Sequence, residues 1–180
     1  MKFFKYLSIP LILISSIFNT AQALSLQELR NDSNLELTLT SDRGDFYIDK
    51  HSTRQLQSTN DEIQISSIIY IVDYKKGFIF EDHITYNYNP QLGITKQIEY
   101  ETSDGTPLTP QLIDRIMEDK KIVSGITSAL IREVIYSFDG KVLYSNVKPK
   151  TLTFDTWGSP IYQLGNEAYA IIFNKTYDDI

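Results

Sequence analysis

Leu35, Leu37 and Leu39 alternate with Glu36, Thr38 and Thr40, the two-residue period of a strand with one buried face. Ser41-Asp42-Arg43-Gly44 reads as a turn and Asp45-Phe46-Tyr47-Ile48 as a second strand, which together predict a hairpin. From Glu62 to Tyr74, Ile63, Ile65 and Ile71 recur among polar residues. Lys75-Lys76-Gly77 then turns the chain into Phe78–Tyr88, where Ile84, Tyr86 and Tyr88 share a face. Asn89 to Gly93 breaks the run, and Ile94 to Tyr100 reads as one more strand of an antiparallel meander.

The period changes after that. Thr109-Pro110 is a good helix start, because proline at the first helical position has no N–H to leave unsatisfied. Leu112, Ile113, Ile116 and Met117 fall on one helical face, and Lys120-Lys121 suits the C-terminal end of the dipole, so a helix is predicted from Pro110 to Lys121. Ser25 and Glu28 have capping-box spacing within Leu24 to Asp32, at a terminus where fraying competes with a helix. Ile126 to Phe138 suits either period. Asp139-Gly140 favours a two-residue hairpin turn between strands near 131–138 and 141–147. Leu152 to Phe154 reads as a short strand, and Tyr162 to Phe173 fits a last strand or a packed helix. The pattern predicts an α+β fold: one domain over residues 24–180, mainly antiparallel sheet, with one or two covering helices.

The first 23 residues stand apart. Lys2 and Lys5 precede a mostly apolar stretch from Tyr6 to Phe18, and Ala21-Gln22-Ala23 offers a small-x-small cleavage site. Residues 1–23 are therefore expected to be a signal peptide, and the remainder to be exported to the periplasm or cell surface with no integral membrane segment. The chain contains no cysteine, so an exported domain must rely on apolar packing rather than disulfides. Net charge is −6, which argues against nucleic acid and anionic membranes as partners. Abundant Tyr, Phe and Ile favour pleated, half-buried surfaces.

Chemistry is sparse. The histidines, His51 and His83, lack metal spacing, and in Glu81-Asp82-His83 strand alternation sends Glu81 and His83 to one face and Asp82 to the other, a solvated strand face. No G-x-S-x-G elbow, H-E-x-x-H or phosphate-cradling glycine loop is present. The sequence thus supplies no catalytic residue, no metal site and no cofactor. A dispersed triad or carboxylate pair would depend on spatial separation alone. Two features invite a binding reading. Arg43-Gly44-Asp45 sits at a predicted hairpin tip, where a cation and a carboxylate could be presented together; Gly-Asp is equally ordinary turn chemistry. Trp157 is the only tryptophan, either an exposed anchor for a partner or a lid on the core.

Asp45-Phe46-Tyr47-Ile48-Asp49-Lys50-His51-Ser52, followed by Ile63 to Tyr74 and Asp73-Tyr74-Lys75-Lys76, resembles the surface-adhesin protein E family, with its Tyr-x-Asp-x-x-Ser element and a strand ending near Asp-x-Lys. Phe138 to Leu143 and Trp157-Gly158-Ser159-Pro160 resemble the family's later strand turn and the Trp-containing segment before a closing helix. The resemblance implies a small α+β fold at the envelope or surface. Its usual cysteine pair is absent, and 106–125 has the look of an insertion. The expected function is a non-enzymatic envelope or surface protein that binds another protein. A periplasmic inhibitor or assembly factor is the alternative, with an unrecognised hydrolase behind it.

Overall fold

The structure is a computed structural model that describes residues 24–147 and 153–179. In chain order the elements are α1 (Leu26–Asn31), β1 (Leu35–Thr40), β2 (Gly44–Asp49), β3 (Arg54–Ser58), β4 (Ile63–Asp73) and β5 (Phe78–Tyr88). They continue with α2 (Ile94–Glu101), α3 (Pro110–Ile122), β6 (Ile126–Ser137), β7 (Val142–Asn146), β8 (Thr153–Phe154) and α4 (Pro160–Phe173). The expected signal segment, residues 1–23, lies outside the described residues, as does Leu152.

Three long strands, β4, β5 and β6, pair antiparallel and form the middle of an eight-stranded sheet. Each flank of this trio is covered by two short strands placed end to end. β2 and β3 both pair with β4, and β7 and β8 both pair with β6, while β1 extends the sheet beyond β2. Where β2 gives way to β3, side chains replace the missing ladder. Asp49 Oδ1 accepts the amide N–H of His51 at 2.9 Å, and Ser52 Oγ accepts the N–H of Ile68 at 2.9 Å. The Tyr47-to-Ser52 element therefore closes a break in a sheet edge, which satisfies backbone that would otherwise be stranded.

The two faces differ in depth. On one, α4 lays Tyr162, Leu164, Ala168 and Tyr169 across Ile48, Ile65, Ile69, Tyr86 and Tyr88, and this is the main core. On the other, Leu29 of α1 packs with Tyr47, Val72, Ile79, Val134 and Tyr136. Burying each large side chain contributes about 1.5–3 kcal/mol, so the α4 face supplies most of the cohesion. Trp157 is half-buried and packs against the same core.

Three readings of the sequence change, and one alternative left open by the sequence is settled. Ile94 to Tyr100 is helical, not a strand: Ile94 and Ile98 share a helical face, and Lys96 and Glu99 pair at 2.7 Å across one turn. Residues 162–173 are helical as well, started by Ser159, whose hydroxyl accepts the N–H of Tyr162, with Pro160 at the first position. β6 begins at Ile126 rather than near 131. A register shift between His83 and Ile84 makes Ile131 an extra residue, so Ile126 and Leu130 face α4 while Val134 and Tyr136 face α1. The apolar residues four apart therefore serve both faces of one bulged strand rather than one face of a helix. Finally, the loop after β6 has three residues, Phe138-Asp139-Gly140, because Ser137 N–H donates to Lys141 O at 3.0 Å. Only Gly140 has positive φ there, whereas a two-residue type I′ turn needs it at both positions. The α+β class, its antiparallel sheet and the capped α1 and α3 are as the pattern predicts.

Candidate functional site

The Arg43-Gly44-Asp45 tripeptide lies at the start of β2, with Arg43 exposed and Asp45 only 9% exposed. Gly44 runs so close to β4 that a Cβ would stand 1.9 Å from the Val72 carbonyl oxygen. Asp45 accepts hydrogen bonds from Thr40 Oγ1 and from the Tyr74 hydroxyl. Tyr74 in turn accepts from Arg30 Nη2 at 2.8 Å, so the carboxylate ties the hairpin, the end of β4 and α1 together. Burial and the bond to Asp45 both raise the Tyr74 hydroxyl pKa.

Glu81 and His83 do share a face, yet that face is half-buried rather than freely solvated. His83 Nε2 lies 2.8 Å from Glu81 Oε1, and Tyr136 donates to Glu81 Oε2 at 2.7 Å. Among the described residues no group of three or more His, Asp or Glu side chains is placed to hold a metal ion.

A different region has the geometry of a binding site. After β5, the Asn89 side chain accepts the N–H of Gln91 and starts the turn Pro90–Leu92, which delivers the chain into α2. Lys120, on the same face of α3 as Leu112 and Ile116, is fully buried beneath it. Its ammonium donates to the Leu92 carbonyl at 2.7 Å, pairs with Asp178 at 2.8 Å and lies 4.4 Å from the Tyr177 ring centre. Burial pushes the Lys120 pKa down, and the Asp178 carboxylate opposes that shift. Tyr162 donates to the second oxygen of Asp178 at 2.7 Å, and Tyr177 donates to Asn89 O at 2.5 Å. A buried charge needs such satisfaction, and here it fixes Leu92 against α3 and the C-terminal residues.

Leu92 and Val123 are shared walls of two clefts. One, of about 410 Å³, runs between α2 and α3 over Ile116. The other, of about 400 Å³, lies over Tyr88 and Ile126 at the end of the sheet. Both volumes reach the range in which small clefts hold a ligand group, ~300–1,000 Å³. Tyr100 and Ile122, on the walls of the first cleft, are 79% and 82% exposed. Large apolar side chains standing open beside an apolar floor form an exposed apolar patch of the kind on which ligands or partners are held. A second apolar run lies on the edge strand β7, where Val142, Leu143 and Tyr144 are each close to half exposed.

The chain matches no family model, no curated protein and no solved structure.

A third, smaller cleft of about 250 Å³ is lined by Asp82, Ile84, Ser128, Leu130 and Asp155. Ser128 Oγ donates to Asp155 at 2.7 Å, and burial pushes the Asp155 carboxyl up to about 6. Sequence reasoning gave Lys120 only the role of a cation at the helix C-terminus, whereas it is fully buried, and it passed over Asp155. The first left a signal: Lys120 stands one helical turn after Ile116, on the apolar stripe, where a cation needs a buried partner. Asp155 left none, since only the fold brings Ser128 and Asp82 beside it.

Proposed function

We propose that this chain is an exported binding protein that holds a segment of another protein in the joined clefts beside α2 and α3. One observation carries the reading: Tyr100 and Ile122 stand almost fully open beside an apolar floor of Leu92 and Ile116. Tyrosine is well suited to anchor an interface, because it offers a large rigid surface with a polar tip. The signal-like leader and the resemblance to the surface-adhesin protein E family support an envelope or surface setting. Among the described residues no helix is long and apolar enough to cross a membrane.

Photo-cross-linking in cells tests it. A benzophenone amino acid placed at Tyr100 or Ile122 should give a discrete adduct with one protein, while the same group at Arg43 or Leu56 gives none. Equal yields at all four positions, or no adduct, would remove the reading. Mass spectrometry of the recovered protein should find Leu24 at its N-terminus; protein retaining Met1 would remove the export part.

A further inference from the structure

Charge along the joined clefts is one-sided. Asp61 and Glu62 line the cleft at the end of the sheet, and Glu101 and Asp119 line the one between α2 and α3. Among the described residues no lysine, arginine or histidine lines either cleft. Arg115 pairs with Glu101 at 2.5 Å and offsets that charge, and Glu62 accepts from Gln64 at 3.0 Å. Asp61 and Glu62 beside one cleft and Asp119 beside the other thus set the sign, in a chain whose net charge is already −6. The floor between them is apolar, so an occupant must offer apolar side chains inward and cations at the rim. An acidic occupant would meet like charge at both ends, which costs affinity and slows encounter.

Resting on the binding reading above, we infer that the occupant is a basic, apolar peptide segment of another protein, with lysine or arginine flanking its apolar anchors. The apolar anchors fill the floor at Leu92 and Ile116 and pack on Tyr100 and Ile122. The cations sit against Asp61 and Asp119. Salt weakens the complex, because these carboxylates lie at the mouth of the clefts where counter-ions reach them.

Three synthetic peptides test this against the purified full chain. They share the same leucine and phenylalanine positions and carry lysine, glutamine or glutamate at the remaining ones. Fluorescence anisotropy at low and high salt reads the binding. The lysine peptide should bind saturably and about tenfold tighter than the glutamine peptide, with the glutamate peptide weakest. Asp61→Lys with Asp119→Lys should reverse the order, while Tyr100→Ala with Ile122→Ala should weaken every peptide. Equal binding of lysine and glutamine peptides, both lost in the Tyr100→Ala/Ile122→Ala variant, overturns the charge preference and leaves the docking site standing. Lysine-peptide binding that survives Tyr100→Ala/Ile122→Ala reflects general acidity and overturns the inference. Absence of binding by all three peptides overturns it too. Circular dichroism of each variant, matching the parent spectrum, shows that the fold is kept.

Discussion

The Arg43-Gly44-Asp45 turn and the groove beside α2 and α3 both bring carboxylates near the surface, but they use them differently. At the turn, Asp45 faces inward and accepts from Thr40 and Tyr74, so its charge holds one strand hairpin to its neighbours. At the groove, a carboxylate of the same kind, Asp178, is likewise consumed internally by Lys120, and this frees the outer wall for other acids. Asp119 and Asp61 line open clefts with an apolar floor between them. A suggestive tripeptide thus resolves into architecture, and the stretch from α2 to α3, to which the sequence attached no binding role, resolves into a concave surface lined by acids. Local sequence chemistry is ambiguous because the same carboxylate can satisfy its own fold or await a partner, and only burial separates the two.

The largest effect should come from the support beneath the groove. Lys120→Met leaves Asp178 and the Leu92 carbonyl without their cation and should cost about 3 kcal/mol, measured by urea unfolding. Adding Asp178→Asn should recover part of that loss, since the orphaned charge is then gone. Full additivity of the two changes would show that the pair is not coupled.

Asp155 sharpens the comparison, being buried like Asp45 but, among the described residues, with Ser128 as its one side-chain hydrogen-bond partner. Its carboxyl is raised from 3.8 to about 6, so the folded state favours the neutral form. The stability this gives is whole below pH 3.8 and is lost as pH rises through about 6. Asp155→Asn should therefore flatten that fall, making the variant about 2 kcal/mol more stable relative to the parent at pH 7.5 than at pH 3.5. Parallel stability curves for the two proteins would reject the burial argument.

Asp45→Ala should cost about 2 kcal/mol, because the Thr40 and Tyr74 hydroxyls lose their acceptor. Tyr74→Phe should cost less, and the double variant should fall short of the sum. If the tripeptide instead acts as a cell-attachment ligand, Asp45→Glu abolishes attachment with little change in stability, which inverts this ranking.

Smallest are the surface changes. Tyr100→Ala and Ile122→Ala should shift the melting temperature hardly at all, since both side chains are mostly in water, while changing peptide binding strongly. Arg43→Ala should change neither. A marked loss of stability at Tyr100 or Ile122 would mean that the groove wall is structural.

The alternating runs at 35–40, 44–48, 63–73 and 78–88 and the capped helix at 110–122 were legible because strand and helix periods are local properties of a chain. The α+β class followed from them. β6 was not legible as a whole, since its phase is reset at Ile131 by pairing with β5, and no local pattern records a bulge. α2 misled for a related reason: a short segment with isoleucines four apart and polar residues between carries both periods, and contact with α3 decided it. The sequence by itself determined the α+β class, the strands from β1 to β5 other than β3, the cysteine-free chemistry and the acidic charge. Only tertiary structure decided which acids are consumed and which line a cleft, because Lys120 meets Asp178, and Asp155 meets Ser128, across separations that no local pattern spans.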